Sequence, residues 1–374
     1  MSRHCEPPLG GVAIQKSPRA SWDSRIATAQ TRLATTAAFA LLTLLGACAA
    51  KSDPVGVPEG PHIVFTHDPP SEFDLLPGWR TELKSTVIAA FAVGCPMIHD
   101  SRYNAACTAV SGVPAGNEDA ARAFLIHYFR PQLLGTDYLT GYFELTVKGS
   151  RKRDRTYNVP VYAPPRYPNQ YPRPDIMGGA LEGQGLEIMY LQSEADLYFM
   201  QLQGSGRVIL PDGSLVRLGT AANNGQPRIP LEGLFGEAQI PGRDLSIPGI
   251  RAWAAGHVPE TNGRLARDQA YVFFRELTDL PAQYGAYGAF GLPLLPMRTV
   301  AVDTATTRLG SMLWIGTNVA FDVVRMPHLV IAQDTGDLIT GPARLDLFFG
   351  WGPDAERIGG HQHAQARVWA LVPR

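Results

Sequence analysis

The stretch "GPARLDLFFGWG", Gly341–Gly352, sets an aspartate, Asp346, inside the apolar run Leu345–Phe349. Side chains alternate along a strand, so Asp346 falls on the face opposite to its leucine neighbours, and a solvent-facing position is the simplest interpretation. A carboxylate beside buried positions is costly unless it is paired, hydrogen-bonded or protonated. The stretch therefore predicts a strand and leaves two environments open for its aspartate.

Short strands separated by glycine or proline turns dominate the last quarter of the chain. They are "MRTVAVD", "MLWIG", "HLVIAQD", "RLDLFFG" and "ARVWALV", a rhythm that predicts a small closed barrel. Asp303, Asp334 and Asp346 lie at the edge of, or within, these apolar segments. One barrel brings residues from distant strands together, and clustered carboxylates raise one another's pKa, which makes one of them a usable acid near neutral pH.

The composition describes a mainly globular chain and excludes one class of partner. The 374 residues are 45% apolar and 18% charged, and the length suggests about two domains. The 38 glycines and 31 prolines favour short strands joined by turns. A net charge of −1 argues against a nucleic-acid-binding protein, because such proteins carry a clear basic surplus.

The N-terminus is typical of an export segment. Arg25 and Arg32 precede the uncharged stretch Leu33–Ala50, whose apolar core ends on small residues. Within it, "LLGAC" resembles a bacterial lipobox, in which Cys48 carries lipid and becomes the mature N-terminus. A transmembrane helix and a cleaved soluble form are the alternatives. We expect a lipoprotein signal peptide over 1–47 and a lipidated N-terminus with a tether over 48–72.

The remaining cysteines predict one disulfide. Cys5 leaves with the signal peptide and Cys48 carries lipid, so Cys95 and Cys107 remain. An even remainder in an exported chain favours a disulfide between them. A metal site is the weaker interpretation, because no Cys-x-x-Cys spacing is present.

Two helices are expected before the β-rich part. The first runs from about Trp79 through "TELKSTVIAAFAVG", and the second begins after Asn117 as N-cap. From Asp137 the pattern is β: "YFELTV" and "YNVPVYAPP" flank the charged hairpin turn "KGSRKRDR", and "RVILPDGSLVRL" predicts a second hairpin. "PGIRAWAAG" predicts a short helix and "AYVFFREL" a strand.

Two further motifs are candidate sites. In "QLQGSGRV", Gly204 and Gly206 flank Ser205 at the end of an apolar segment expected to be a strand, where backbone could approach a ligand; a β-bulge is the simpler interpretation. "HQH" would put His361 and His363 on one strand face. Without an acidic or cysteine partner nearby, metal binding there is disfavoured.

Several motifs in order resemble the membrane-bound lytic murein transglycosylase A family. The resemblance runs from "LLPGW" at Leu75 to "RVWAL" at Leu371 and includes "TGYFE", "YLQSEADLYFMQLQGSGRV", "FGLPLLPMRTVAVD", "IAQDTG" and "GPARLDLFFGWG". It implies a mainly β fold: a double-psi β-barrel with N-terminal helices, an inserted second β domain, and a glycan groove between them. The barrel would comprise 73–144 and 271–374, and the insert 145–270.

The resemblance also implies a reaction on peptidoglycan. The family cleaves the β-1,4 bond between N-acetylmuramic acid and N-acetylglucosamine and leaves 1,6-anhydromuramic ends. The C6 hydroxyl of the substrate is the nucleophile, so one carboxyl group acts first as acid and then as base, where ordinary glycosidases need two. No metal or organic cofactor is implied.

Individual residues of this chain match the family's motifs. Asp346 matches the catalytic acid, Asp334 a second aspartate near it, and Asp303 a weaker candidate. Thr140 and Tyr142 match positions that line the groove. A segment that grips the glycan matches Gln203, Gly204, Ser205 and Gly206. The chain departs from the family at "NGQPRIPLEG", at Asp337 and at Ala366, which puts substrate preference in doubt more than the reaction.

The expected partners follow from these matches. They are the glycan strands of peptidoglycan and the outer membrane, reached through a lipid anchor; enzymes of cell-wall synthesis are a further candidate class. Ala49 and Ala50 lack the aspartate that typically retains lipoproteins in the inner membrane, so we expect the chain to face the periplasm of a Gram-negative bacterium. A non-catalytic peptidoglycan-binding lipoprotein and a hydrolase that uses water are the rival interpretations.

Overall fold

The computed structural model describes residues 71–317 and 328–374. The expected signal peptide, the lipidation at Cys48 and nearly all of the expected tether lie outside these residues. The first described element is a short 3-10 turn, Glu72–Leu75, whose Phe73 is buried. No helix within 71–317 or 328–374 has the length and apolar character needed to cross a membrane.

Within the described residues, three α-helices precede the first strand: α1 (Ser85–Gly94), α2 (Asn104–Val110) and α3 (Glu118–Tyr128). Asn117 caps α3 as expected, because its side chain accepts a hydrogen bond from the backbone N–H of Ala120 at 2.9 Å. The apolar faces of these helices share one core with the outer side of the strands that contain Trp314 and Ile331. The helices therefore cover one flank of the sheet.

The first helix begins later than the sequence predicted. We expected it from about Trp79, whereas α1 starts at Ser85. The ammonium group of Lys84 donates to the carbonyls of Trp79 and Glu82, at 2.7 and 2.6 Å, which fixes a non-helical turn there. The carboxylate of Glu118 then caps the first turn by accepting from the backbone N–H of Lys84 at 2.6 Å. A cap supplied from a distant helix leaves no local sequence signal.

Eleven strands in the described residues form one connected sheet. In chain order they are β1 (Phe129–Ser150), β2 (Val159–Tyr162), β3 (Glu187–Leu191), β4 (Ser205–Ile209), β5 (Leu215–Asn223), β6 (Val272–Glu276), β7 (Thr299–Ala301), β8 (Met312–Gly316), β9 (Leu329–Asp334), β10 (Leu345–Trp351) and β11 (His363–Pro373). The expectation of a mainly β chain with N-terminal helices is confirmed.

Six strands pair in an order that returns to its starting point. The order is β1, β10, β7, β9, β8 and β11, and β11 pairs with β1 again. Residues on one side of these strands form a common apolar core that includes Leu139, Val300, Leu313, Val330 and Leu347. On the opposite side, Trp314 of β8 and Ile331 of β9 pack with the N-terminal helices.

The first strand connects this set of strands to the rest of the sheet. Residues 129–144 of β1 pair with β11 and β10, whereas Leu145–Lys148 pair in parallel with β4, and β5 and β6 continue from there. The strand starts at Phe129, earlier than the expected Asp137, because β11 pairs with residues whose own alternation is weak. One continuous strand therefore spans both parts of the fold.

Six further α-helices are found in the described residues: five in the middle of the chain and one directly after β10. They are α4 (Arg173–Met177), α5 (Glu194–Gln203), α6 (Leu231–Phe235), α7 (Ile247–Ala254), α8 (Val258–Leu265) and α9 (Pro353–Gly359). The hairpin predicted around Pro211–Gly213 is confirmed, since β4 and β5 are antiparallel neighbours. The prediction that β1 and β2 form a hairpin around the charged turn is wrong. In the sheet β3 lies between them and pairs with both.

The sulfur atoms of Cys95 and Cys107 are bonded, and the two residues are 12 positions apart in the sequence. The bond ties the end of α1 to α2 within the helical flank. Restricting the unfolded chain over such a loop stabilises the folded state by about 3 kcal/mol.

We expect the double variant Cys95→Ala/Cys107→Ala to unfold at a denaturant concentration that corresponds to a loss of about 3 kcal/mol. Equilibrium urea unfolding measures this change. Wild-type protein treated with a reductant should reproduce the loss, and reductant should not affect the double variant. Equal stability of the wild type and the double variant would contradict a stabilising role for the bond.

Candidate active site

Asp346 lies on β10 directly beside Thr140 on β1. The two strands are parallel and pair Leu139 with Leu345 and Thr140 with Asp346. Both leucines are buried in the common core, so the next residue of each strand points to the other side of the sheet. There the hydroxyl of Thr140 donates to Oδ1 of Asp346 at 2.6 Å.

The surroundings of Asp346 make its carboxyl group a weak acid. Burial raises the pKa of Asp346 to about 6, because removal from water disfavours the charged form. The hydrogen bond from Thr140 and the positive charge of Arg344 lower the pKa, and the nearby charge of Asp334 raises it. The group therefore exchanges its proton near the pH at which a general acid and base must work.

Asp334 lies on the same sheet, two strands from Asp346. Ala301 on β7 pairs with Asp346 on one side and with Asp334 on the other. The carboxylate oxygens of Asp334 accept hydrogen bonds from the hydroxyl of Tyr142 and from the backbone N–H of Ala289, each at 3.0 Å. Burial raises the pKa of Asp334, and these two hydrogen bonds act in the opposite direction. The expected juxtaposition of these two aspartates is present.

Tyr142 is hydrogen-bonded to Asp334 and lies near Asp346. It is two residues after Thr140 on β1, so its side chain shares the outer face of the strand. The ring packs against Phe348 with 5.2 Å between centroids, in a small apolar cluster that also contains Ala301. Burial and the nearby aspartates raise the pKa of its hydroxyl well above the usual range, so the group stays a hydrogen-bond donor.

Asp303 occupies a different environment from the other two aspartates. Its carboxylate accepts hydrogen bonds from the backbone N–H groups of Ala305 and Gly341, at 2.9 and 2.8 Å. These bonds lower the pKa of Asp303. The geometry indicates that Asp303 anchors the loop before β10, and its role in substrate binding stays a prediction.

The segment Gln203–Gly206 follows a helix rather than the expected strand. Helix α5 ends at Gln203, and Gly204 adopts the left-handed conformation with a φ of 77°, which ends the helix. Ser205 and Gly206 begin β4 and pair in regular register with β5, so a β-bulge is also wrong. The apolar run before Gln203 was interpreted as a strand because α5 is mostly buried. It therefore lacks the separate polar and apolar faces of a surface helix.

Contacts with β1 bring this segment towards Thr140. The side-chain oxygen of Gln203 accepts a hydrogen bond from the backbone N–H of Phe143 at 2.8 Å. A Cβ atom on Gly206 would lie 2.3 Å from the sulfur of Met200, so any larger residue there would require the Met200 side chain to move. Gln203 is therefore held three residues along β1 from Thr140.

The two histidines of "HQH" do not share a strand face. His361 lies in the turn after α9, where its ring contacts Ser246 and Asp244 at 3.1 and 3.4 Å. His363 begins β11 and stacks on Tyr138. In the described part of the chain, no group of three or more His, Cys, Asp or Glu side chains could hold a metal ion.

A buried ion cluster behind the site was missed from the sequence. Glu144 is 2% exposed and accepts from the guanidinium of Arg207 at 2.5 Å, with Arg217 at 3.7 Å. Its other contact is the backbone N–H of Ala286, at 2.6 Å. This bond holds the loop that carries Ala289, which in turn donates to Asp334. Glu144 in "TGYFE" was the available signal, since it lies among apolar residues two positions after Tyr142.

Two family models match separate parts of the chain. One, described as the MltA specific insert domain, covers residues 166–275. The other, described as the 3D domain, covers residues 298–372 and so contains both Asp334 and Asp346.

Relatives with known names and structures agree with these matches. The membrane-bound lytic murein transglycosylase A of Vibrio cholerae is 30% identical over 246 residues, which are 63% of this chain and 66% of that protein. The crystal structure of MltA from Neisseria gonorrhoeae matches with 26% identity and a TM-score of 0.70, covering 80% of this chain and 91% of that one. The membrane-bound lytic murein transglycosylase of Agrobacterium tumefaciens matches with 26% identity and a TM-score of 0.71, covering 82% and 97%. The chain belongs to the membrane-bound lytic murein transglycosylase A family.

Proposed function

We propose that this protein is a lytic transglycosylase of peptidoglycan. It cleaves the β-1,4 bond between N-acetylmuramic acid and N-acetylglucosamine and leaves 1,6-anhydromuramic ends. The observation that carries the proposal is the half-buried carboxyl group of Asp346, whose pKa is raised to about 6 and which accepts a hydrogen bond from Thr140. The name of the Vibrio cholerae relative supports the same reaction class.

The proposed mechanism uses Asp346 twice. Protonated Asp346 gives its proton to the glycosidic oxygen, and the bond from that oxygen to C1 of the muramic residue breaks. The C6 hydroxyl of the same residue attacks C1, and the Asp346 carboxylate takes its proton. No water is consumed, and the acid is restored for the next cycle. The raised pKa suits both steps, because the group must hold a proton and later recover one.

Asp334 stabilises positive charge in this mechanism. Its two oxygens accept hydrogen bonds from Tyr142 and Ala289, which hold the carboxylate in a fixed position. It also lies on the same sheet as Asp346, separated by β7, rather than opposite to it. A hydrolase would need a second carboxylate about one water away on the other side of the sugar. These contacts favour the transglycosylase over the hydrolase.

We also propose the finer architecture that the family implies. The six strands whose pairings return to β1 would form the double-psi β-barrel, built from 73–144 and 271–374. Residues 145–270 would form the inserted domain, with the glycan groove between the two. The hydrogen bond between Gln203 and Phe143 supports this placement, because it joins the glycan-gripping segment to β1 beside Thr140 and Tyr142. Glycan strands of peptidoglycan are the proposed occupant of that groove.

The lipid anchor at Cys48 and the location at the outer membrane remain part of the proposal. Both depend on residues before 71, and the "LLGAC" motif that ends at Cys48 is the sequence feature that supports them. Several acyl chains on one cysteine would hold the protein at the membrane almost permanently. Contact with enzymes of cell-wall synthesis would follow from that location.

We expect purified protein lacking residues 1–48 to release muropeptides with anhydro ends from sacculi, and Asp346→Asn to release none. Mass spectrometry of the products distinguishes three outcomes. Products one water lighter than hydrolysis products support the transglycosylase. Full-mass reducing products would establish a hydrolase instead. Binding to sacculi without any release from the wild type would leave the non-catalytic binding protein as the function.

We expect Asp346→Asn to be more stable than the wild type at pH 7. The folded-state pKa of Asp346 is raised, so the native protein binds more protons than the unfolded chain and loses stability as pH rises from about 4 to 6. An uncharged amide avoids that loss, which is on the order of 3 kcal/mol. Urea unfolding at pH 4 and pH 7 measures the difference, which should shrink at pH 4. An equal or lower stability at pH 7 would contradict the burial of this charge.

We expect kcat/KM to fall as the pH rises above about 6, because Asp346 loses its proton there. Thr140→Val removes a bond that favours the carboxylate, so the fall should move to higher pH. Asp334→Asn removes a negative charge that favours the protonated form, so the fall should move to lower pH. Thr140→Ser keeps the hydroxyl and should leave the midpoint near that of the wild type. Shifts of the same sign in Thr140→Val and Asp334→Asn would contradict the assignment.

We expect the full-length protein to incorporate labelled palmitate in a Gram-negative host and to sediment with outer membranes. Cys48→Ala should abolish both the labelling and the sedimentation. Cys5→Ala should change neither, since that residue would leave with the signal peptide. Labelling that persists in Cys48→Ala would refute lipidation at this cysteine.

A further inference from the structure

An exposed aromatic pair lies close to Asp346 on the surface of the sheet. The rings of Tyr138 and His363 stack with 4.3 Å between centroids and 26° between planes. Tyr138 is 43% exposed. Neither ring belongs to any of the packed apolar clusters found in the described residues. Packing of the core therefore does not explain why two rings are held together here.

The pair shares a strand face with the candidate acid site. Tyr138, Thr140 and Tyr142 are alternate residues of β1, so their side chains project to the same side. Two residues along a strand span about 7 Å, a distance comparable to one sugar ring. Tyr138 thus lies about one sugar away from the hydroxyl that holds Asp346.

The backbone beneath the pair is held from both sides. Tyr138 pairs with Gln365 of β11, while the register of β1 with β10 brings it beside Arg344. The guanidinium of Arg344 donates to the carbonyl of Tyr138 at 3.1 Å and to that of Leu345 at 2.6 Å. A ring on such a central strand loses little further freedom when a ligand binds, which favours affinity.

The chemistry of the pair suits a saccharide. A pyranose ring has apolar C–H faces and a polar rim, so it can lie on an aromatic ring while its hydroxyls reach polar neighbours. Tyrosine offers a rigid apolar face with a polar tip, and the imidazole supplies further hydrogen-bonding atoms. In a glycan chain bound at Asp346, the neighbouring sugar ring would reach the Tyr138–His363 pair directly.

We propose that Tyr138 and His363 form a subsite that binds a sugar ring of the glycan strand next to the bond cleaved at Asp346. The inference rests on the proposed function, since it assigns a further part of the same substrate. It gives a role to one histidine of the "HQH" motif, which the reaction itself does not use. Tyr138 and His363 act in binding and take no part in proton transfer.

Calorimetry with a peptide-free hexamer of β-1,4-linked N-acetylglucosamine tests the subsite. The protein should carry Asp346→Asn, so that binding is measured without turnover. Adding Tyr138→Ala should weaken binding about three- to tenfold, and adding His363→Ala should also weaken it. Tyr138→Phe keeps the ring and should bind within about twofold of the parent.

Leu133→Ala is the matched control. It removes an apolar side chain that is 49% exposed on the same strand, five residues before Tyr138. It should leave hexamer binding unchanged. Thermal unfolding of each variant separates a loss of binding from a loss of fold. Hexamer binding by a folded Tyr138→Ala protein that equals that of its parent would overturn the subsite.

Two further outcomes separate the subsite from the reaction. In a protein with intact Asp346, Tyr138→Ala should raise KM on sacculi more than it lowers kcat, and the pH midpoint should not move. If only peptide-bearing muropeptides bind more weakly to Tyr138→Ala, the stem peptide occupies the surface and the sugar subsite is wrong. If the hexamer result holds but the wild type releases no product, the proposed reaction fails while the subsite stands.

Discussion

The parallel pairing of β1 with β10 is the constraint on which the candidate site depends. It aligns Leu139 with Leu345 in the core and therefore brings Thr140 beside Asp346 on the other face. Because side chains alternate with a period of two, a register shift of one residue would turn the leucines outward and bury the carboxyl group in the core. The apolar residues around Asp346 thus determine where the acid lies and which hydroxyl it contacts.

Burial of Asp346 serves chemistry at the expense of stability. The apolar cluster around Tyr142 and Phe348 withdraws this face of the sheet from water. A carboxyl group in such surroundings keeps its proton to higher pH, which a general acid requires. The same effect makes the charged form unfavourable in the folded protein. Functional sites commonly retain a residue that a more stable protein would replace.

The length of β1 joins the acid to the segment expected to grip the glycan. Its first part pairs with β10 and β11, and Leu145–Lys148 pair with β4, which begins directly after Gly204. The backbone of Phe143 bonds Gln203, while Glu144 holds the loop that reaches Asp334. Contacts to both aspartates and to Gln203 therefore originate within five residues of one strand, 140–144. Such a rigid arrangement preserves geometry between groups that come from distant parts of the sequence.

The sequence alone was sufficient for the strands of the last quarter, the Asn117 cap and the hairpin around Pro211–Gly213. Each of these depends on residues close in the chain, such as alternating apolar side chains, a capping amide or a turn glycine. It also singled out Asp334 and Asp346, because a charged residue within an apolar strand is unusual. It failed where distant groups decide, as in the start of α1, which Glu118 caps, and the buried helix α5, which we took for a strand. Only the tertiary structure decided the pKa of Asp346, the ion cluster at Glu144 and the stacking of Tyr138 on His363. Burial, hydrogen bonding and ring contact in these cases arise between strands whose pairing no local pattern specifies.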